Sequence, residues 1–238
     1  MKVFILAAGK GTRLYPLTKK VPKALIELRN GLTPLDFQLK ILKKFGFNKK
    51  EIFIIGGHKF ETLKKYTDFQ VVFNEKYEIY NNIYTFYMIS NYIEPQESFI
   101  VMNSDTIFSP VIFENLIKTD LSAMAIDNLK ILGDEEMKVK VRNGKIIEIS
   151  KAIPPDIAHG EYIGISMYKG DAGVTIFREI EDYLQDGKGN KWYEDAINEV
   201  LDEIDVAPVY TQGEKWIEID TMEDLNMARS IIDDIQID

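Results

Sequence analysis

The sequence contains no cysteine, so disulfides and thiolate metal sites are excluded from the start. It has no apolar run close to the length that crosses a bilayer, and no membrane association is expected. The opening KVFILAAG is too short for a secretory signal and lacks a cleavage context, so the cytoplasm is the expected compartment. No low-complexity tract, internal repeat or linker divides the chain. A single domain over 1–238 is therefore expected, a length that can bury a sizeable core. Two familiar glycine signatures are missing as well. There is no G-x-x-x-x-G-K-[ST] phosphate loop, and the dinucleotide fingerprint fails because Leu14 stands where its third glycine belongs.

What is present is uneven in charge. The first 50 residues hold twelve Lys/Arg and two acids, Glu27 and Asp36, while the other 188 hold 17 basic and 36 acidic residues. A nucleic-acid partner would draw on a broad positive surface. This chain is net −9 and gathers Lys10, Arg13, Lys19, Lys20 and Lys23 around one glycine loop. That placement argues against nucleic acid and fits a compact phosphate ligand. Brought together, these cations repel one another unless something negative sits among them.

The coarse pattern alternates. Apolar runs at 2–7, 51–57, 69–74 and 98–105 read as buried strands. Between them, TPLDFQLKILKKFGF reads as a helix capped by Thr33, opened by Pro34 and ended at Gly46. A short helix is expected near HKFETLKKY, a longer one over 81–93, and another starting at Ser109 and Pro110. Such alternation predicts an α/β fold, a mostly parallel sheet with helices on both faces. The second half is richer in β-structure. MKVKVRNGKIIEIS (137–150) reads as a hairpin turning at Asn143-Gly144. EYIGISMYK and KWIEID read as strands, and DAGVTIFREIEDYL, KWYEDAINEVLDEI and TMEDLNMARSIID as helices, the last capped by Thr221.

In open α/β sheets, ligands sit beyond the carboxyl ends of the strands. LAAGKGTRL occupies that place after the first strand. Small residues and glycines allow close backbone approach, and N–H groups in such a loop can point at phosphate oxygens. Alone, the loop would serve equally as a plain strand-to-loop turn. The longer pattern is more specific. Small-Ala-Gly-x-Gly-Thr-Arg-Leu, then Pro-Leu-Thr, then Pro-Lys-Ala-Leu, resembles the signature of the nucleotidyltransferases that activate sugar phosphates and related phospho-alcohols.

This resemblance implies a Rossmann-like three-layer sandwich with a mostly parallel mixed central sheet. It implies a nucleotide-binding half over 1–120 and a β-rich, acceptor-binding half over 121–238. Leu6, Ala7, Ala8, Gly9, Gly11 and Thr12 would hold the nucleotide. Arg13 and Lys23 would be catalytic: an arginine fork and a lysine point charge complement a polyphosphate and stabilise charge on departing pyrophosphate. The family's metal carboxylates would be Asp105, in FIVMNSDTIF, and Asp220, in KWIEIDTMEDL, converging on one Mg²⁺. Glu218, two residues before Asp220, points to the same strand face with no assigned role. Read as structure alone, Asp105 is a turn residue and Asp220 a partner of the cap at Thr221.

FNEKYEIYNNIYTFYMI resembles the corresponding segment of phosphocholine cytidylyltransferases. Sugar-activating members usually carry a Gly-Thr-Ala-type segment there. An asparagine amide offers both a donor and an acceptor, and so can match the edge of cytosine. Asn81, Asn82 and Thr85, with Ser104, therefore join the expected nucleotide site, although Asn81 would also serve as a helix cap. On the acceptor side, Lys151 would meet a phosphate. Glu161, Tyr162, Trp192 and Glu194 offer the aromatic and acidic groups that bind a quaternary ammonium, although Trp192 also reads as a core aromatic at a helix start.

The expectation is Mg²⁺-dependent transfer of a cytidylyl group from CTP to a small phosphorylated acceptor. Phosphocholine and 2-aminoethylphosphonate stand ahead of inositol-1-phosphate. The alternative enzyme is a sugar-1-phosphate nucleotidyltransferase using UTP or dTTP. The alternative from another class is a catalytically silent nucleotide-binding regulatory module. His58 and His159 receive no catalytic role, because an attacking phosphate is already anionic near neutral pH.

Overall fold

Strand β1 (Lys2–Ala7), buried from Val3 onward, lies inside the central sheet. The computed structural model describes residues 1–235 and 237. After β1 come α1 (Pro34–Lys44), β2 (Ile52–Gly56), β3 (Gln70–Phe73), α2 (Asn82–Tyr87), β4 (Phe99–Asn103), β5 (Thr106–Phe108), α3 (Pro110–Lys118) and β6 (Ser122–Asp127). The second half adds β7 (Lys138–Arg142), β8 (Lys145–Ser150), β9 (Gly160–Tyr168), α4 (Asp171–Gln185), α5 (Tyr193–Glu199), β10 (Val206–Tyr210), β11 (Trp216–Glu218) and α6 (Met222–Ile231).

The main sheet has the order β10-β6-β9-β4-β1-β2-β3, and the β7–β8 hairpin hangs from β9. The pairs β3–β2, β2–β1, β1–β4 and β6–β10 are parallel. β9 runs antiparallel to both β4 and β6 and so joins the two halves in one mixed sheet. Alternate side chains of β1 enter different cores, as the pleat dictates. Val3, Ile5 and Ala7 pack with buried residues of α1, α3 and α6. Phe4 and Leu6 pack with those of α2, α4 and α5. These are the three layers of a Rossmann-like α/β sandwich.

Local signals explain the elements that carry the site. Thr33 accepts from Asp36 N while the Asp36 carboxylate accepts from Thr33 N, closing a capping box around Pro34 at the start of α1. Asn143 and Gly144 both have positive φ, 52° and 74°, as a two-residue hairpin turn requires.

Several elements differ from the sequence reading. The helix expected over 81–93 is α only through Tyr87 and tightens to a 3-10 turn over Met88–Asn91. There Ser90 Oγ and Asn91 Nδ2 donate to the Tyr87 and Met88 carbonyls, in competition with the α ladder. The segment near HKFETLKKY is also 3-10, over Phe60–Lys65. The helix expected over 191–204 is confined to α5, and the strand expected over 215–220 to β11. β5, β6 and β10 were not anticipated. β6 opens Ser-Ala-Met-Ala, which lacks the β-branched signature. β10 contains Pro208, which an edge strand tolerates.

Candidate active site

The site forms where β1 and β4, which run parallel, release the chain at their carboxyl ends. The glycine loop after β1 is fixed by backbone contacts. Gly11 has φ +57°, and a Cβ there would lie 3.1 Å from Thr18 Cγ2 and 3.3 Å from Lys23 Cβ. Thr18 Oγ1 donates to Gly11 O (2.7 Å), and Thr18 O lies 2.7 Å from His58 Nε2. His58 N in turn donates to Ala8 O (3.1 Å). His58 therefore holds the loop from behind.

The loop borders a cleft of about 400 Å³. Leu6, Ala7, Ala8, Gly9, Gly11 and Thr12 line it together with Asn81, Asn82, Thr85 and Ser104. Arg13, Lys23, Asp105 and Asp220 line it as well. The sequence reading did not anticipate Ala24, Tyr77, Tyr80 or Asn103, which share the cleft. All four lie within the stretches singled out above, Ala24 in Pro-Lys-Ala-Leu, Tyr77 and Tyr80 in FNEKYEIYNNIYTFYMI and Asn103 in FIVMNSDTIF, but nothing local tells which side chains of those stretches face the cleft.

Asp105 and Asp220 meet through the small β5–β11 sheet. β11 pairs antiparallel to β5 with Glu218 opposite Thr106, and Ile219 N donates to Asp105 O (3.0 Å). One oxygen from each of Asp105, Glu218 and Asp220 lies within 4.8 Å of the others. Lys23 sits among them. Its Nζ is 2.8 Å from Asp105 Oδ2 and is also ion-paired with Asp220 Oδ1. Arg13 Nη2 lies 2.7 Å from Asp220 Oδ2.

These contacts set the protonation states. Burial pulls the Lys23 pKa down, but Asp105, Asp220 and Glu218 outweigh it, so the ammonium is held above its ordinary value. Burial pushes Asp220 up, yet Lys23, Arg13 and Lys151 bring it below the usual carboxylate range. Glu218 goes up, from burial first and then from the charges of Asp105 and Asp220. Asp105 Oδ1 is buried with no hydrogen-bond partner. A carboxylate with an unused oxygen, beside two others, suits a hard divalent cation.

Asn81 and Asn82 are already engaged. Asn81 Oδ1 accepts from Asn82 N (2.8 Å), which makes Asn81 the helix cap, and its Nδ2 donates to Asn190 O (3.3 Å). Asn82 Oδ1 accepts from Tyr193 N (3.0 Å). The pair clasps the chain just before α5.

The five residues expected to hold the acceptor lie outside the lining of this cleft. Glu161 is buried and ion-paired with Lys130 at 2.8 Å, so the counter-ion expected from the acceptor is supplied by the chain itself. Tyr162 is a core residue whose hydroxyl meets Ser166 Oγ (3.0 Å) and Tyr193 OH (3.1 Å). Glu194 is buried, with Oε2 unpartnered and its pKa pushed up by burial to about 7. Trp192 and Lys151 do reach solvent, and Lys151 Nζ stands 5.0 Å from the Trp192 ring centroid. His159 Nδ1 accepts from Val141 N (3.0 Å), a bond internal to the hairpin region.

The nucleotidyl transferase family profile matches residues 2–234. A CTP:phosphoglutamine cytidylyltransferase of Campylobacter jejuni is 31% identical, over 95% of this chain and 98% of that protein. A choline-phosphate cytidylyltransferase of Streptococcus pneumoniae is 29% identical over 98% of each. Among solved structures, a CTP:phosphocholine cytidylyltransferase from Streptococcus pneumoniae superposes with a TM-score of 0.78 at 26% identity, covering 97% of this chain and 98% of that one. No helix among the described residues is long and apolar enough to cross a membrane.

Proposed function

The chain belongs to the nucleotidyl transferase family, and within it we propose a Mg²⁺-dependent cytidylyltransferase that joins CTP to a small phosphorylated acceptor. The observation that carries this reading is the convergence of Asp105, Glu218 and Asp220 around Lys23 beside a glycine-lined cleft. Two relatives that span nearly the whole chain are cytidylyltransferases by name, which supports CTP as the donor.

In the reaction, an acceptor phosphate or phosphonate oxygen attacks the α-phosphorus in line. The new P–O bond forms as the bridge to the β-phosphate breaks, and pyrophosphate leaves with the electron pair. Asp105 and Asp220, with Glu218 beside them, would hold Mg²⁺, which when bound neutralises phosphate charge. Arg13 and Lys23, now paired with those carboxylates, would turn to the polyphosphate and stabilise the departing charge. The loop backbone from Ala8 to Thr12 would cradle the phosphates. Thr85 and Ser104 would border the nucleoside, and Asn81 and Asn82 would support it through the clasp to residues 190–193.

For the acceptor, Lys151 is a half-buried cation outside the cleft lining, ion-paired with Glu135 at 3.9 Å, whose charge adds to those of Lys23 and Arg13 in lowering Asp220. Trp192 beneath it supplies an aromatic face. An acceptor with phosphate at one end and a nitrogen-bearing polar group at the other fits this pair. Phosphocholine and 2-aminoethylphosphonate have that form.

Pyrophosphate release is to be measured with CTP, UTP, dTTP and ATP against phosphocholine, aminoethylphosphonate, phosphoglutamine, inositol-1-phosphate and glucose-1-phosphate. Turnover only with CTP and a nitrogen-bearing acceptor is expected. Preference for UTP or dTTP with a sugar phosphate would replace this reading with the sugar-activating one. Nucleotide binding without pyrophosphate release from any pair would make the chain a regulatory module.

A further inference from the structure

We propose that Gln38 is a positioning residue that fixes Asp105 relative to Glu218 and Asp220. The proposal rests on the reading of Asp105 as a metal ligand. Gln38 lies on the inner face of α1 among Leu35, Leu39 and Leu42 and is fully buried. Its Nε2 donates to Asn103 O (2.8 Å) and to Thr106 O (2.9 Å). Those two carbonyls bracket the Ser104–Asp105 turn between β4 and β5. One amide group therefore spans the turn that presents the carboxylate.

The far side of Gln38 makes a structural explanation insufficient. Oε1 is buried with no partner, and an unpaired buried amide oxygen costs folding free energy. A methionine would fill similar volume without that cost. What a methionine cannot supply is two N–H donors aimed at two carbonyls three residues apart. Thr106, whose carbonyl is one of them, is also paired with Glu218 across β5–β11, and Asp105 O accepts from Ile219 N. A shift of the turn would thus change the spacing of all three carboxylates at once. Groups that orient metal ligands from behind commonly change metal affinity by about 10–100-fold.

The test titrates Mn²⁺ by electron paramagnetic resonance, with α,β-methylene-CTP bound and no acceptor. Gln38→Met is expected to weaken Mn²⁺ about tenfold. Binding of the analogue without metal should weaken clearly less than Mn²⁺ binding, since of the turn only Asn103 and Ser104 border the nucleotide while the glycine loop supplies the phosphate cradle. Gln38→Glu, which donates one hydrogen bond when protonated, should fall between Met and the native residue. Mn²⁺ affinity in a folded Gln38→Met protein within about twofold of native would overturn the proposal, as would equal losses of metal and nucleotide. If Gln38→Met does not fold, Gln38→Glu decides: native Mn²⁺ affinity overturns the proposal, and a loss of about threefold or more supports it. Asp105→Asn in the same titration separates the two readings. If it binds Mn²⁺ as the native protein does, the metal assignment is wrong and the proposal falls with it. If only Asp105→Asn loses metal, the assignment stands and Gln38 is packing.

Discussion

The end proposed to bind the nucleotide and the end proposed to meet the acceptor handle charge in opposite ways. At the nucleotide end, Lys23 and Arg13 pair with Asp105 and Asp220 at the wall of an open cleft, where an incoming polyanion and cation can exchange partners with them. At the acceptor end, most charges are consumed inside the protein. Glu161 and Glu136 share Lys130, and the fully buried Lys138 ammonium donates to the carbonyls of Gly133, Asp134 and Glu136. Among the expected acceptor groups, Trp192 is exposed, and Lys151 is half-buried and ion-paired with Glu135 at 3.9 Å. On the proposed reading, the chemistry would be carried by a pre-assembled cluster, whereas acceptor choice would depend on few exposed contacts.

That contrast can be broken most sharply at the carboxylates. Asp105→Asn and Asp220→Asn should each lower turnover about a thousandfold with the fold retained, because the amide keeps the shape and loses the charge. Near-normal turnover across a Mg²⁺ titration would make both residues structural. Arg13→Ala and Lys23→Ala come next, with a loss of about a hundredfold, or roughly 3 kcal/mol of transition-state stabilisation. Lys23→Ala carries a second signature. It leaves Asp105 and Asp220 facing each other without their shared ammonium, so added Mg²⁺ should raise its melting temperature more than that of the native protein. Equal shifts would show that the lysine and the metal do not serve the same carboxylates.

Glu194 sharpens the acceptor side. Its carboxyl pKa is raised by burial to about 7. Below about pH 4.5 it is protonated in both folded and unfolded chains. Between there and pH 7 the unfolded chain loses its proton first, so stability falls as pH rises. Above that window a penalty of roughly 3 kcal/mol stands. Glu194→Gln should therefore gain stability at pH 8 relative to pH 5 in urea unfolding; an equal effect at both pH values would place the carboxyl in a wetter setting. The smallest effect is expected at Trp192→Leu. The acceptor KM should rise several-fold, in line with loss of one cation–π face, while the KM for CTP stays unchanged. A matching rise in both would mean that the ring supports the Asn81–Asn82 clasp instead.

The contrast also explains what was legible in the sequence. The glycine loop, Asp105 and Asp220 follow strand ends, where apolar runs stop, whereas Lys23, in a 3-10 turn over Lys23–Leu25, is marked only by the family's Pro-Lys-Ala-Leu motif. Glu218 could be placed on the strand face of Asp220 because strands alternate, but its approach to Asp105 needed the β5–β11 pairing, which a three-residue strand does not announce. Tyr77, Tyr80 and Asn103 reach the cleft only through tertiary folding. Glu161 and Tyr162 were misplaced because composition cannot tell an acidic or aromatic residue facing a ligand from one facing Lys130 or Ser166. Gln38 carries no signal in the sequence, because its role depends on two carbonyls 65 and 68 residues away.

β9 has a consequence for recombination between relatives. Because it lies between β4 and β6, a crossover near residue 120 would pair β4 of one relative with β9 of the other in the middle of one sheet. The β7–β8 hairpin is different. It meets the main sheet at two positions, Lys138 opposite Glu161 and Val139 opposite Gly160, and its remaining rungs are its own. A chimera that exchanges 128–159, the hairpin with the loops on either side, would leave the strand order of the main sheet unchanged while replacing the segment that carries Lys151. The hairpin's inner face, Val139, Ile146 and Ile149, is buried in the same core as α5 and β10, so an exchanged hairpin must keep those three side chains to fold.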